Sequence, residues 1–468
     1  MNCRNERRNK RMHLAFNNHA KVNSARFDAL SRLAEKNNRI DPDLYHKYDV
    51  KRGLRNNNGT GVLVGLTGVG DVHGYRMDNG VKVPDEGKLY YRGIEIKEII
   101  EGFQKDGRYG FEEVNYLLLF GVLPNRHELE EFVNILGENR KLPDGFTEDM
   151  MLKVPSRDIM NMLARSVLAA YCYDRDPDDL SLKSVLRHSI ELIARFPTMA
   201  VYGYQAKSRY YDNKSLFIHT PREELSTAEN ILYMLRPTCE YSRLEAELLD
   251  LALVLHAEHG GGNNSTFTTR VVTSTGTDTY SAIAAAVGSL KGGKHGGANL
   301  KVLEMMENIK ANVRDWDNED KLKAYLHDIV NKKANDGSGL IYGMGHAVYT
   351  LSDPRAVLLK KKAAELAKEK GAEKEFHLYS EVERLTSVVF SEVRNEKVTL
   401  AANVDLYSGF VYKALNIPRE LYTPLFAIAR IGGWCAHRIE ELASGGKIIR
   451  PAYKNVAEIK RYVPLSER

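Results

Sequence analysis

The chain has 468 residues, 43% hydrophobic and 28% charged, the balance of a soluble globular protein long enough for two domains. Its formal net charge of +5 is compatible with anionic ligands and makes no case for nucleic acid. Four scattered cysteines (Cys3, Cys172, Cys239 and Cys435) contain no CxxC pair, so they argue against a disulfide frame or zinc cluster and read as reduced thiols in the cytoplasm. Apolar runs such as Leu251–Leu255 and Ala282–Val287 are too short to span a bilayer.

Residues 1–58 read as a polar N-terminal arm. At its start Arg4, Arg7, Arg8, Lys10 and Arg11 stand against a single Glu6. A mitochondrial presequence is one reading, but the segment is poor in apolar residues and a solvated terminus is preferred. The arm contains a predicted helix at Ser24–Lys36 and ends in Asn56-Asn57-Asn58-Gly59. The next block is the one convincing β region. Turn signals at Asp78-Asn79-Gly80 and Asp85-Glu86-Gly87 divide it into short runs such as Val81–Val83 and Lys88–Tyr91.

After about Ile96 the pattern is helix upon helix, without internal repeat or heptad array. In a helix predicted over Tyr241–His259, Leu244, Leu248, Leu251 and Leu255 form a buried stripe. The next step lands on His259, and Gly260 ends the helix behind it. His256 sits one position off the stripe and reads as a packing or capping residue. Asp353-Pro354-Arg355 is an N-cap followed by proline at the first helical position. Asp405 precedes a helix over Leu406–Leu415. The last long helix, predicted from Arg419 to Ala443, aligns Phe426, Arg430, Trp434, His437 and Glu441. An arginine on an apolar stripe needs an anionic partner, because an unpaired buried charge is costly.

Three histidines sit beside glycines, in Gly292-Gly293-Lys294-His295-Gly296-Gly297, in Gly343-Met344-Gly345-His346 and in His259-Gly260-Gly261-Gly262. Glycine leaves space for a ligand to approach imidazole and backbone together. Gly288–His295 nearly matches a phosphate-binding loop, but the preceding small-residue segment is helical and His295 replaces the hydroxyl that would hold magnesium. His256-Ala257-Glu258-His259 has a spacing that can bind zinc, yet HExxH is absent and no third ligand stands nearby, so no metal is expected. His295 lies just before a helix starting near Ala298. That position, with Lys294 adjacent, disfavours its protonation and leaves a neutral donor able to stabilise an enolate oxygen. Arg355 can take a carboxylate bidentately. Asp405 reads either as a helix cap or as a general base. Together, arginines for a polyanionic carboxylate, neutral histidines and one base point to an aldol- or Claisen-type carbon–carbon condensation.

At these residues the chain resembles the citrate synthase family, from about Gly61 to its C-terminus. The motifs are HAEHGGGN (256–263), GGKHGGAN (292–299), GMGHAVY (343–349), DPR (353–355), NVDLYSG (403–409), ARIGGWCAH in the last helix, and Arg450-Pro451. The resemblance implies a mainly α, two-domain helical fold with a small β-hairpin region near the N-terminus. Residues 59–298 and 418–468 would form a large domain and 299–417 a small one. Catalysis would fall to His295, His346 and Asp405. Substrate carboxylates would be held by His259, Arg355, Arg430 and Arg450, the last reaching into the partner subunit of a homodimer. The backbone of Leu340, Ile341, Tyr342, Gly343, Met344 and Gly345 would cradle CoA, with Lys360 or Lys361 meeting its phosphates. The implied substrates are oxaloacetate and acetyl-CoA, the thioester being a substrate, with no cofactor. The implied rivals are 2-methylcitrate synthase, using propionyl-CoA, and a non-catalytic helical binding protein. Lys294, the HAEHGGGN form and Ala347 depart from common bacterial patterns, and nothing matches the extra β domain of NADH-regulated hexamers.

Overall fold

The computed structural model describes residues 24–79, 81–346 and 348–468. The basic cluster of residues 4–11, Cys3, Gly80 of the first turn signal and Ala347 lie outside the described residues. The chain forms two compact units, one ending at Val64 and one running from Gly65 to Arg468.

In the first unit, helix α1 covers Ser24–Asn38 and α2 covers Asp43–Lys47. The predicted Asn-rich end is a closed turn. Gly59 donates to Asn56 O at 2.9 Å with φ +80°, a conformation that glycine adopts without strain.

The second unit opens with an antiparallel sheet in the order β1 (Gly70–Asp78), β2 (Val81–Tyr91), β3 (Ile94–Glu95). Asn79, at φ 49°, serves the tight turn between β1 and β2. The second turn signal does not make a turn. Asp85-Glu86-Gly87 lies inside β2 as a bulge: His73 pairs with Lys88, Tyr75 pairs with Pro84, and three residues oppose Gly74. The reason lies far along the chain. Gly87 donates to Ser352 Oγ at 3.2 Å, Ser352 in turn bonds Glu86, and a Cβ on Gly74 would come within 2.6 Å of Val348 O. The bulge is thus shaped by the loop it presses against.

Helices follow: α3 (Ile96–Lys105), α4 (Phe111–Phe120), α5 (Arg126–Glu138), α6 (Ile159–Ala170), α7 (Leu182–Tyr211), α8 (Thr227–Leu235), α9 (Arg243–His256), α10 (Asn264–Thr273) and α11 (Thr279–Lys291). Then come α12 (Ala298–Asn312), α13 (Glu319–Val330), α14 (Pro354–Glu369), α15 (Glu373–Arg394), α16 (Val404–Ala414) and α17 (Tyr422–Ala443). Among the described residues no helix is long and apolar enough to cross a membrane.

The core centres on α17, which packs against α7, α10, α4 and α9. Burying it requires Gly432-Gly433. A Cβ on Gly432 would overlap the Asn115 side chain, and one on Gly433 would sit 2.5 Å from Ala257 O. Helix α9 starts at a Ser242/Glu245 capping box and buries Leu248, Leu251 and Leu255 as predicted, while Leu244 of the same stripe is only partly buried. It stops at His256 rather than reaching His259. Tyr91 Oη donates to Val254 O at 2.9 Å, and Glu258 Oε1 accepts the amide of Gly260 at 2.5 Å, so one distant and one local bond replace the last helical turn. Asp353 caps α14 with Pro354 following, as predicted. Asn403, not Asp405, caps α16. A 3₁₀ turn at Arg419–Leu421 precedes α17. Gly288 lies within α11, and the residues leading into it are helix rather than strand, which removes the phosphate-loop geometry.

Candidate active site

A cavity of about 360 Å³ gathers side chains from five parts of the chain. His256 and His259 line it from the end of α9, His295 and Lys294 from the loop before α12, and Gly345, His346 and Arg355 from the loop and start of α14. Asp405 and Tyr412 come from α16, Phe426 and Arg430 from α17. Of the predicted residues, Arg450 is not part of the lining. It lies in an exposed C-terminal segment. Of the predicted CoA segment only Gly345 borders the cavity; Leu340 is exposed and Ile341 buried. Lys360 is bound to Glu383 Oε2 at 2.6 Å.

Each histidine has its role narrowed by its neighbours. At His295, Nε2 lies 3.0 Å from Ser265 Oγ and 3.4 Å from the Ser265 amide. Trp434 Nε1–H donates to the same Oγ at 3.1 Å, and the hydroxyl gives its own proton to Asn263 Oδ1 at 2.9 Å. The Ser265 amide donates to Nε2, so Nε2 is an acceptor and the proton sits on Nδ1. Burial, then the charge of Arg430, drives the His295 pKa down to about 4. The cation acting on it is Arg430, not the exposed neighbour Lys294 that the sequence indicated.

His346 has the opposite tautomer. Its Nδ1 accepts from the amides of Val348 at 3.1 Å and Tyr349 at 3.2 Å, placing the proton on Nε2. Its ring stacks on Tyr349 at 4.7 Å and meets His259 edge-on at 5.2 Å. His259 has a covered Nε2 without a hydrogen-bond partner, and burial followed by Arg355 holds it neutral. His256, set aside in the sequence, also borders the cavity. Its Nδ1 donates to Ala252 O at 2.7 Å, leaving a buried, unpartnered Nε2 acceptor, and its pKa is pushed down to about 3 mainly by burial.

The two inner arginines differ. Arg355 is 4% exposed, and its Nε and Nη2 are already on Asp353, at 3.0 and 2.8 Å. The bidentate fork expected for a ligand is therefore shared with a protein carboxylate, which leaves Nη1. Burial opposes its charge, but Asp353 and then Tyr349 raise its pKa. Arg430 is fully buried. Its Nε donates to His256 O at 2.6 Å and its Cζ lies 4.8 Å from the Phe426 ring centre, while Nη1 and Nη2 have no partner among the described residues. A buried guanidinium with two unpaired nitrogens is costly unless an anion completes it. Burial lowers its pKa to about 10, so it stays charged at neutral pH.

Asp405 sits in the first turn of α16, half-buried, with its side chain on the cavity. Burial raises its pKa to about 6, opposed by Arg355. Such a carboxylate is ionised at pH 7 yet basic enough to take a proton. Its helix is tied to the His346 loop. Gly345 N donates to Ala401 O at 2.7 Å, and Asn403 N donates to Gly343 O at 2.9 Å. Gly343 and Gly345, both at φ 83°, supply the left-handed backbone this pairing needs. Ser265, Asn403 and Tyr349 were not singled out from sequence. Their only local signals were a polar run after a glycine run, a cap position, and a tyrosine near Asp353.

A helical scaffold converging two neutral histidine donors, one raised carboxylate and an open buried arginine defines an acyl-transferring condensing enzyme. The chain belongs to the citrate synthase family: the family model described as citrate synthase, C-terminal domain, matches residues 59–452. It is 36% identical to the citrate synthase of Synechocystis sp. over 386 residues, covering 82% of this chain and 89% of that protein. With the citrate synthase of Haloferax volcanii it shares 35% identity over 426 residues, covering 90% and 99%. A 2-methylcitrate synthase of Corynebacterium glutamicum is 32% identical over 416 residues, covering 87% and 98%. Among solved structures, Pyrobaculum aerophilum citrate synthase superposes with TM-score 0.70 at 30% identity, covering 87% and 94%. The Thermoplasma acidophilum enzyme, a ternary complex with carboxymethyl coenzyme A and oxaloacetate, superposes with TM-score 0.72 at 27% identity, covering 90% and 99%.

Proposed function

We propose that this acyltransferase condenses acetyl-CoA with oxaloacetate and hydrolyses the resulting citryl-CoA to citrate and CoA. The observation that carries the reading is Asp405, lifted to about 6, sharing one cavity with His295, His346 and the unpaired Arg430. Arg430, Arg355 through Nη1, and His259 bind the oxaloacetate carboxylates. Asp405 removes a methyl proton from the thioester, and His295 Nδ1–H stabilises the enolate oxygen that forms. His346 Nε2–H polarises the oxaloacetate ketone, and the enol carbon attacks it. The ketone oxygen takes the proton from His346 as the carbon–carbon bond closes. Water then cleaves the thioester, releasing CoA.

The domain reading fits this sequence of steps. Residues 299–417 contribute His346, Arg355 and Asp405, and the rest contributes His259, His295 and Arg430. Closure of one part on the other after oxaloacetate binds would exclude water and complete the acetyl-CoA site. Residues 340–345 would then meet CoA. Arg450 would complete the site of the partner subunit in a homodimer. That reading is supported by the C-terminal tail, where Ile448, Tyr453, Ile459, Tyr462 and Leu465 are 61%, 95%, 103%, 83% and 77% exposed. The free cysteines Cys172, Cys239 and Cys435 fit a cytoplasmic home.

The Corynebacterium relative keeps propionyl-CoA as the second reading. One extra methylene is worth only about 1–3 kcal/mol of discrimination. A thiol-release assay with oxaloacetate and each acyl-CoA decides between them. A higher kcat/KM for acetyl-CoA is expected. A propionyl preference selects the rival, and no CoA release with either removes both.

A further inference from the structure

Beside the cavity lie three buried polar atoms without partners among the described residues: Glu258 Oε2 and Arg430 Nη1 and Nη2. They belong to side chains of opposite charge that are close neighbours. A Cβ built on Gly433 would stand 2.5 Å from Glu258 Oε2 and 3.5 Å from Arg430 Cδ. Opposite charges this close in a dry interior attract strongly and ordinarily pair. Here they do not, so something holds the carboxylate back.

The restraint is visible on the other oxygen. Glu258 Oε1 lies 3.0 Å from His437 Nε2 and accepts the Gly260 amide at 2.5 Å. His437 Nδ1 accepts from Arg270, at 3.1 Å from Nε and 2.7 Å from Nη2. With Nδ1 an acceptor, the histidine proton is on Nε2 and is donated to Glu258. Arg270 is fixed in turn by Glu441 at 2.9 Å and by Glu440. Glu258 and His437 are both 0% exposed, so no water competes for this chain of bonds. At the far end, Arg430 is anchored through Nε on His256 O.

We propose that His437, backed by Arg270, is a positioning residue: its bond to Glu258 keeps that carboxylate off Arg430, so the guanidinium stays open for a substrate carboxylate. Glu258 thus compensates the charge of Arg430 from behind without occupying its binding face. This rests on the reading of Arg430 as a carboxylate receptor for oxaloacetate.

The test is a double-mutant cycle in the full-length enzyme, with folding checked by circular dichroism. His437→Phe frees Glu258 to pair with Arg430, and the oxaloacetate KM is expected to rise about tenfold or more. Adding Glu258→Gln removes the competing charge, and the double variant is expected to return to within about threefold of Glu258→Gln alone. A merely structural role gives no such rescue: a double variant as impaired as His437→Phe, or worse, overturns the proposal. Should His437→Phe not fold, His437→Asn, whose shorter amide does not span to Oε1, takes its place with the same two outcomes. If the unmutated enzyme releases no CoA with oxaloacetate and acetyl-CoA, the functional reading fails first. Turnover without rescue overturns the tether alone.

Discussion

Asn403 donates from Nδ2 to the carbonyl of Gly345 at 3.0 Å, while its Oδ1 accepts the amide of Asp405 at 3.1 Å. One side chain therefore caps the helix of the proposed base and pins the loop of the proposed acid. The two functions separate by substitution. Asn403→Ala loses both and should reduce unfolding free energy by about 1–2 kcal/mol in urea titration. Asn403→Asp keeps the capping oxygen but not the donor, so it should retain most of that stability and still lose kcat. Wild-type kcat in Asn403→Asp would show that the link to Gly345 does nothing for catalysis.

Asp405→Asn should lower kcat by about 10²–10⁴ with little loss of oxaloacetate affinity, the pattern of a lost proton acceptor. It should also make the protein more stable at neutral pH. A carboxyl raised from 3.8 to about 6 binds its proton more tightly when folded. Stability is therefore lost as pH rises from about 4 to 6, and above both values the cost is about 3 kcal/mol at most. The gain from Asp405→Asn should appear at pH 7 and vanish near pH 4. In the unmutated enzyme, kcat/KM should fall as pH drops below about 6. Equal stabilisation at both pH values, or an acid limb far from 6, would count against the raised carboxyl.

Much of this site was legible in the sequence, for identifiable reasons. Glycine-flanked histidines report local backbone, and the capped start of α14 and the leucine stripe of α9 are short-range patterns. The same patterns located His259, His295, His346, Arg355, Asp405 and Arg430 on one cavity. What escaped was set by distant contacts. The Asp85-Glu86-Gly87 signal looks like a turn until Ser352 is seen to shape it as a bulge. His437 reads as one more residue on a helix face, because its partners Glu258 and Arg270 are more than 160 positions away. Arg355 looked free because its pairing with Asp353 depends on the turn between them.

The Ser265 hydroxyl is predicted to hold the His295 imidazole in place. Ser265→Ala removes the hydroxyl between Trp434 and the imidazole. It strands a buried indole N–H, at about 1–3 kcal/mol of stability. It should also lower kcat by about tenfold or more, as a poorly oriented oxyanion donor would. Ser265→Thr, which keeps the hydroxyl, should recover most of the rate. Equal rates for the two variants would show that the Ser265 hydroxyl does not assist His295.

The exposed tail makes a prediction about assembly. Truncation after Gly446 should shift the sedimentation coefficient toward that of a monomer, since it removes Tyr453, Ile459, Tyr462 and Leu465. If the proposed homodimer forms, Arg450→Ala should leave it intact but weaken oxaloacetate binding. A truncated chain that sediments and binds like the full one would confine the tail to a solvated role.

The β-hairpin should matter to a site it does not line. A Cβ on Gly87 would overlap the Ser352 carbonyl and stand 2.8 Å from Tyr349 Cδ1 and 3.0 Å from Pro354 Cδ. That loop carries His346 at one end and Arg355 at the other, with Tyr349 stacked on His346 between them. Backbone cannot give way as a flexible side chain can, so Gly87→Ala should push the loop. The expected destabilisation is about 1–3 kcal/mol, as for overpacked cores. A fall in kcat/KM for oxaloacetate should accompany it. Gly102→Ala supplies the opposite sign: Gly102 lies within α3 with nothing inside 4 Å of a new Cβ. It should stabilise by about 0.5–1 kcal/mol and leave turnover alone. If Gly87→Ala unfolds at the same urea concentration as the parent and turns over as fast, the hairpin does not brace the loop.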